Sequence, residues 1–212
     1  GDVYKRQVYG NTRKEVKEKI TKANLNKKIT SIVVSRPIFD NEQELFDLID
    51  LKKDVDMLST LAAGRLMRGD IRFLPATAGS VKNIIENLNI NLTGKKALVI
   101  GRSPSVGSPI FWYLQKSNAT VTLAHSKTKI EDLKKAAKDS DLVILAAGVQ
   151  LLKPEDIKDN AIIIDCGYNQ DGQGDLSFIP ENASYTPVPG GVGPVTTITL
   201  ITNSLNLYHL FY

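Results

Sequence analysis

The stretch Ala97-Leu98-Val99-Ile100-Gly101-Arg102-Ser103-Pro104-Ser105-Val106-Gly107-Ser108-Pro109 decides the fold. Its first four residues are apolar without alternation, the pattern of a strand buried on both faces, and they run straight into a glycine-bearing turn. Residues 107–117 then read as a helix, 119–123 as a second strand and 129–138 as a second helix. Residues 142–147 and 161–164 read as two further strands. A βαβαβ order with crossovers of ordinary length predicts a Rossmann-type doubly wound parallel sheet, an α/β architecture.

The turn also carries chemistry. Glycines between a strand and a helix let backbone N–H groups and the helix dipole face a phosphate. The spacing is not G-x-G-x-x-G, and by itself the loop reads either as a phosphate cradle or as a tight strand-to-helix turn. In such folds an acidic residue about 20 positions past the loop takes the ribose 2′-hydroxyl of NAD. Here the corner is His125-Ser126-Lys127-Thr128, without a carboxylate, and Arg102 and Lys127 offer positive charge. NADP is therefore expected over NAD; the bland alternative is a solvated Lys127. Two further strand ends, Ala147-Gly148 and Asp165-Cys166-Gly167-Tyr168-Asn169, point to the same crevice. Cys166 has no histidine near it in sequence and reads as a packing residue rather than a nucleophile.

Upstream, Val16, Ile20 and Ala23 after Thr12 predict an amphipathic helix, and residues 31–35 a strand stopped by Pro37. Asn41 with Glu44 predicts the start of another helix, with Leu45, Leu48 and Ile49 as its stripe. Residues 53–78, broken by Gly64, Gly69 and Pro75, read as irregular. Val81, Ile84, Ile85 and Leu88 then mark a helix ending near Gly94. Downstream, Thr186-Pro187-Val188-Pro189-Gly190-Gly191-Val192-Gly193-Pro194-Val195-Thr196 predicts a rigid loop with exposed backbone before a closing helix over 194–210, or else an elaborate interdomain linker.

With 212 residues the chain has room for one large domain or two small ones, burying roughly 70% of its unfolded surface. Hydrophobic residues at 42% and charged residues at 24% argue against disorder. No apolar run approaches the roughly 20 residues of a membrane span. One cysteine and the distant His125 and His209 offer neither a disulfide framework nor a metal cluster, so no metal is expected and the compartment reads as reducing. The net charge of +4 is local: residues 1–30 hold nine Lys/Arg against three Asp/Glu (+6), and the remainder holds 18 against 20 (−2). With few aromatics and no nucleic-acid motif that basic stretch reads as a solvated helix face, and no nucleic-acid partner is expected.

Four strings occur in order: Lys53-Asp54-Val55-Asp56; Gly101-Arg102-Ser103 with Val106-Gly107 and Pro109; Asn118-Ala119-Thr120-Val121-Thr122 followed by His125 to Thr128; and Pro187 to Pro194. Together they closely resemble the bifunctional methylenetetrahydrofolate dehydrogenase/methenyltetrahydrofolate cyclohydrolase family, over nearly everything from Thr12 to Asn203. The resemblance implies NADP-dependent oxidation of methylenetetrahydrofolate, then hydrolysis to formyltetrahydrofolate, with folate held between a catalytic domain and an NADP domain. It also implies a cytoplasmic homodimer acting on tetrahydrofolate derivatives, with no membrane partner. The expected units are 1–80, the remainder of an N-terminal α/β catalytic domain; 81–190, the NADP-binding domain; and 191–212, a helix packing back towards the first.

By the same resemblance the catalytic positions are Asp56, which faces the pterin, and Ser35, at the place of a glutamine that assists a lysine. The folate lies against Asp56, Pro189, Gly190, Gly191, Val192 and Gly193. The cofactor positions are Gly101, Arg102, Ser103, Val106, Gly107, Ser126, Gly148, Tyr168 and Thr196. The family's Tyr-x-x-x-Lys motif is expected in a preceding segment, with Tyr9 and Arg13 as decoys of similar spacing and residues 1–7 as foreign sequence joined to a gene fragment. Further departures are Arg36 after Ser35, Met57 at a family glycine, and Ala76 and Ala78 in the family's Pro-Cys-Thr-Pro. The alternative function is a non-catalytic NADP/folate-binding module that lacks the lysine.

Overall fold

The computed structural model describes residues 7–169 and 172–212, so residues 1–6 of the expected foreign stretch lie outside it. β1 (Lys96–Ile100), β2 (Thr120–Ala124), β3 (Leu142–Leu145), β4 (Ile162–Asp165) and β5 (Ser184–Tyr185) form one parallel sheet in the order β2-β1-β3-β4-β5. α5 (Gly107–Lys116) and α6 (Ile130–Asp139) are the crossovers between the first three strands. Val99 is level with Leu123 of β2 and with Ile144 of β3, so the strands end on one line. The order reverses between β1 and β3, the position where ligands settle in open α/β sheets.

Both sheet faces are buried, which is why the strands lack alternation. Val99, Ile144 and Ile164 pack with Val81 and Ile85, and with Ile110 and Leu114 of α5. Leu98, Ile100, Val143, Leu145 and Ile163 pack on the other face with Leu133 and Ala137 of α6. A smaller cluster of Ile20, Leu45, Phe46 and Ile49 joins α1 (Arg13–Leu25) to α2 (Gln43–Phe46).

α4 (Ala76–Asn87) and α7 (Val192–Phe211) tie these parts together. Their backbones approach at Gly79, where a Cβ would stand 2.7 Å from the Thr199 methyl. Ser80 Oγ donates to Ala76 O at 2.7 Å and lies 3.2 Å from the hydroxyls of both Thr196 and Thr199. Further along α7 the buried Asn203 amide donates to Val55 O and Leu74 O, each at 3.0 Å, and the Ser204 hydroxyl meets that of Ser31.

Several expected elements differ. Residues 31–35 are not a ladder strand: a single parallel bridge joins Ile32 to Asp54, and extended backbone without a neighbouring ladder earns no strand pairing. Asn41 is not an N-cap; it takes φ 53°, and α2 is a single turn that begins after Glu42. Residues 53–78 contain α3 (Thr60–Met67), capped by Ser59, whose Oγ accepts from Ala62 N. Gly64 is tolerated there because nothing stands within 4 Å of where its Cβ would be. α4 stops at Asn87, since Asn89 at φ 53° ends it before Gly94. The proline-glycine stretch is not loop throughout: Val192, Gly193 and Pro194 form the first turn of α7, where a proline loses no intrahelical bond. A cut at residue 80 falls inside α4.

Replacing Asn203 by Ala strips two buried carbonyls of their donor. At about 1–3 kcal/mol per unsatisfied group, N203A should lose about 2–5 kcal/mol in urea unfolding.

Candidate active site

The β1–α5 turn has no room for side chains at its two glycines. Gly101 takes φ 118°, and a Cβ on it would stand 2.1 Å from Ala146 O at the end of β3. A Cβ on Gly107 would stand 2.0 Å from Gly101 O. The turn is thereby folded against the switch point, and its amides at Gly101, Val106, Gly107 and Ser108 are taken by Ala124 O and by Ser103. Ser103 Oγ accepts from Val106 N at 3.2 Å and from Gly107 N at 3.4 Å, so its hydroxyl caps the turn. Ser108 Oγ donates to Arg102 O at 3.1 Å. Val106 is the N-cap residue of α5 and packs on the core, while Arg102 is exposed and its guanidinium has no partner among the described residues.

The neighbouring strand ends converge there. After β2, His125 N donates to Thr128 Oγ1 at 3.0 Å and Thr128 N to His125 O at 2.8 Å, which leaves Ser126 and Lys127 exposed at the corner. After β3, Gly148 lies open at φ 70°, and after β4 Tyr168 is 77% exposed. Cys166 is partly buried against the core, and burial together with the charges of Asp165 and Asp175 pushes its thiol far up, which suits a packing residue.

A second group gathers at the amino ends of α4 and α7. α4 begins after Pro75 with no cap of its own; Asp56 Oδ1 accepts from Ala76 N at 2.7 Å and supplies one. Burial raises the Asp56 carboxyl, against the lowering effects of the Ala76 amide and the Arg36 charge. Pro189 and Gly190 are exposed, Gly191 is wedged under Pro187 O, and the Val192 side chain is buried in the core, so this stretch offers backbone rather than side chains. Thr196 is turned away from the crevice: its hydroxyl donates to Val192 O at 3.1 Å and meets Ser80. Ser35 is exposed, next to Arg36.

Reading the sequence assigned no role to three of the residues that build the site. Asp54, fully buried, accepts from Leu58 N and Ser59 N at 2.9 Å and shapes the turn that presents Asp56. Met57 follows in that turn at φ 51°, a conformation that glycine takes without strain. Asp175 is buried against the ends of β3 and β4, with only the nearby Gly172 and Gly174 as its signal. Two cations are committed elsewhere. Lys53 Nζ donates to Ala23 O, Asn24 O and Asn26 O at 2.7–3.0 Å, closing the carboxyl end of α1. Arg13 donates to Asp40 O and Asn41 O and faces Glu44 at 3.7 Å, a structural clamp.

Residues 75–211 match the family model of the tetrahydrofolate dehydrogenase/cyclohydrolase NAD(P)-binding domain. The chain belongs to this family. It is 40% identical over 205 residues to the bifunctional protein FolD 1 of Colwellia psychrerythraea, covering 94% of this chain and 72% of that one. The solved bifunctional FolD enzyme from Campylobacter jejuni superposes with a TM-score of 0.89 at 35% identity, over 95% of this chain and 74% of the other. The Trypanosoma brucei family enzyme, solved with NADP cofactor and an inhibitor, superposes with a TM-score of 0.87 at 31% identity, over 94% and 73%. The family's cofactor domain therefore includes the turn at Gly101, and Asp56 lies upstream of the matched residues.

A methyl group at Gly107 has to displace backbone, so G107A should lose more than about 3 kcal/mol of stability in urea unfolding, beyond an ordinary surface change. The raised Asp56 pKa means that the native state holds this proton more readily than the unfolded chain does. Its contribution is therefore full below the usual 3.8 and is lost as pH rises through the folded value. D56N keeps an oxygen for Ala76 N, so its stability relative to wild type should increase over that pH rise in a series of urea midpoints.

Proposed function

We propose that the chain binds NADP across the carboxyl ends of β1 to β4 and a tetrahydrofolate derivative against Asp56 and the 189–193 backbone, and that it oxidises methylenetetrahydrofolate to methenyltetrahydrofolate. Hydrolysis to formyltetrahydrofolate is the second activity of this reading. The observation that carries it is the crowded glycine turn at the switch point, with no space for a Cβ at Gly101 or Gly107 and the free guanidinium of Arg102 beside it. A turn so stripped of side chains lets the phosphates of a dinucleotide approach its backbone, and Arg102 with Ser126 fits its 2′-phosphate. When bound, NADP supplies the hydride acceptor.

The chain's own residues bind and orient. Asp56, fixed by Ala76 N through one oxygen, keeps the other for the pterin. The Gly190–Gly193 backbone admits a flat ring closely, since its three glycines carry no side chain and that of Val192 is buried. The open Gly148 and the exposed Tyr168 border the ring and ribose end of the cofactor. Such positioning is the main source of rate in a transfer between two bound molecules.

A second reading, a binding module without the hydrolytic step, draws support from the cations. Lys53 and Arg13 are occupied by backbone carbonyls, and Ser35 stands exposed at the position of the assisting glutamine. We extend the proposal to a cytoplasmic homodimer. Among the described residues no helix is long and apolar enough to cross a membrane.

The deciding assay supplies methylenetetrahydrofolate with NADP and follows NADPH absorbance. Its appearance supports the dehydrogenase, and binding of both ligands without it supports the module. R102A should weaken NADP about 10- to 100-fold, the worth of a charge-assisted contact, and leave NAD within about twofold. Equal weakening of both would refute the placement of the 2′-phosphate.

A further inference from the structure

Two carboxylates lie beneath the crevice, and neither belongs to the surface that would touch a ligand. Asp165, 1% exposed at the end of β4, accepts from Gly167 N, Asp175 N and Leu176 N at 2.8–3.2 Å. Asp175, 4% exposed, reaches the other way: its Oδ2 accepts from Ala147 N at 2.8 Å and from Gly148 N at 2.9 Å, the two amides that turn the chain out of β3. The fit leaves no slack. A Cβ on Gly167 would stand 2.3 Å from Asp175 Oδ1, and one on Gly174 would stand 2.2 Å from Asp165 Oδ2. Gln150 Nε2 and Asn169 Nδ2 both donate to Gly174 O, at 3.3 Å and 2.9 Å, so side chains from the loops after β3 and β4 converge on the same segment.

The β3–β4 ladder ends at Leu145 and Asp165, with Cys166 N donating to Leu145 O at 2.8 Å; beyond that the chains turn out as separate loops. Past the end of the ladder the Asp175 carboxylate couples the two loops, together with Gln150 Nε2, which donates to Gly174 O. A buried carboxylate taking two backbone amides is rigid, since releasing either would leave a buried acceptor short of donors.

We propose that Asp175 is a positioning residue for the nicotinamide half of the cofactor. It acts through the backbone at Ala147–Gly148 and at Gly167, holding the rim between Gly148 and Tyr168 on which that half rests, and does not touch the ligand. The proposal rests on the NADP reading above. The adenosine and 2′-phosphate end of the cofactor lies at Gly101–Ser103 and Ser126, on the other side of the switch point, and is anchored by β1 and β2 without Asp175.

This separation gives the test. Wild type, D175A and D175N are titrated calorimetrically with NADP and with adenosine 2′,5′-bisphosphate, a fragment that carries the 2′- and 5′-phosphates of the adenosine half but no nicotinamide half. D175A should bind NADP at least about tenfold more weakly, the scale of displaced positioning groups, and the fragment within about twofold of wild type. D175N should return NADP binding to within about threefold of wild type, because one amide oxygen can replace Oδ2 towards both N–H groups. If D175A weakens both ligands alike, Asp175 is merely structural and the proposal falls; unchanged NADP binding also overturns it. Should D175A not fold, D175N decides: a folded D175N that loses NADP binding tenfold while keeping the fragment means that charge, not amide anchoring, matters, and the positioning role is wrong. Failure of wild type to bind NADP would instead sink the cofactor reading itself, and the role of Asp175 with it.

Discussion

The close approach of α4 and α7 is the contact on which the rest depends. Gly79 lets the helices meet where any side chain would strike Thr199, and Ser80, Thr196 and Thr199 satisfy one another within that dry seam. From there Asn203 reaches the carbonyls of Val55 and Leu74. The turn that carries Asp56 is thus tied to the last helix, and the last helix to the face of the sheet through the buried Val192. The seam adds α7 to the link that α4 already makes, since Ala76 N of α4 holds Asp56 while Val81 and Ile85 of α4 pack on the sheet.

The two halves of the site use backbone in the same way. At Gly101 and Gly107 the chain is packed against itself so tightly that no side chain fits. At Asp165 and Asp175 buried carboxylates hold the loops after β3 and β4 from behind. Side chains with free functional ends, Arg102, Ser126 and Tyr168, then stand on these fixed supports. Buried anions of this kind persist because backbone amides answer both oxygens of Asp165 and Oδ2 of Asp175, while the Asn169 amide faces Asp175 Oδ1 at 3.5 Å, although burial still raises the Asp165 carboxyl.

The sheet was legible because its physical cause is local and repeated. Runs such as 97–100 and 142–145 are apolar on both sides, and their spacing leaves room only for crossover helices. Most candidate cofactor positions were legible for the related reason that glycines after strand ends announce themselves. The upstream region was harder to read. Residues 31–35 have strand composition but meet only one bridge, and α3 hides behind Gly64, whose cost is small because it faces open space. Thr196 looked available to a ligand in the sequence, whereas a helix neighbour takes its hydroxyl.

By itself the sequence determined the parallel α/β sheet, the glycine turn, the absence of an acid at the 2′-phosphate corner and, through four ordered strings, the family. Each of these follows from periodicity or from a residue type required at one place in the chain. The tertiary structure alone decided which polar residues are structural and which are free. Asp54, Lys53, Asp165 and Asp175 are committed to backbone groups that lie 2 to 30 residues away, while Arg102 is not. The reason is that a buried charge takes its meaning from the donors and acceptors that folding brings to it, and composition carries no record of those neighbours.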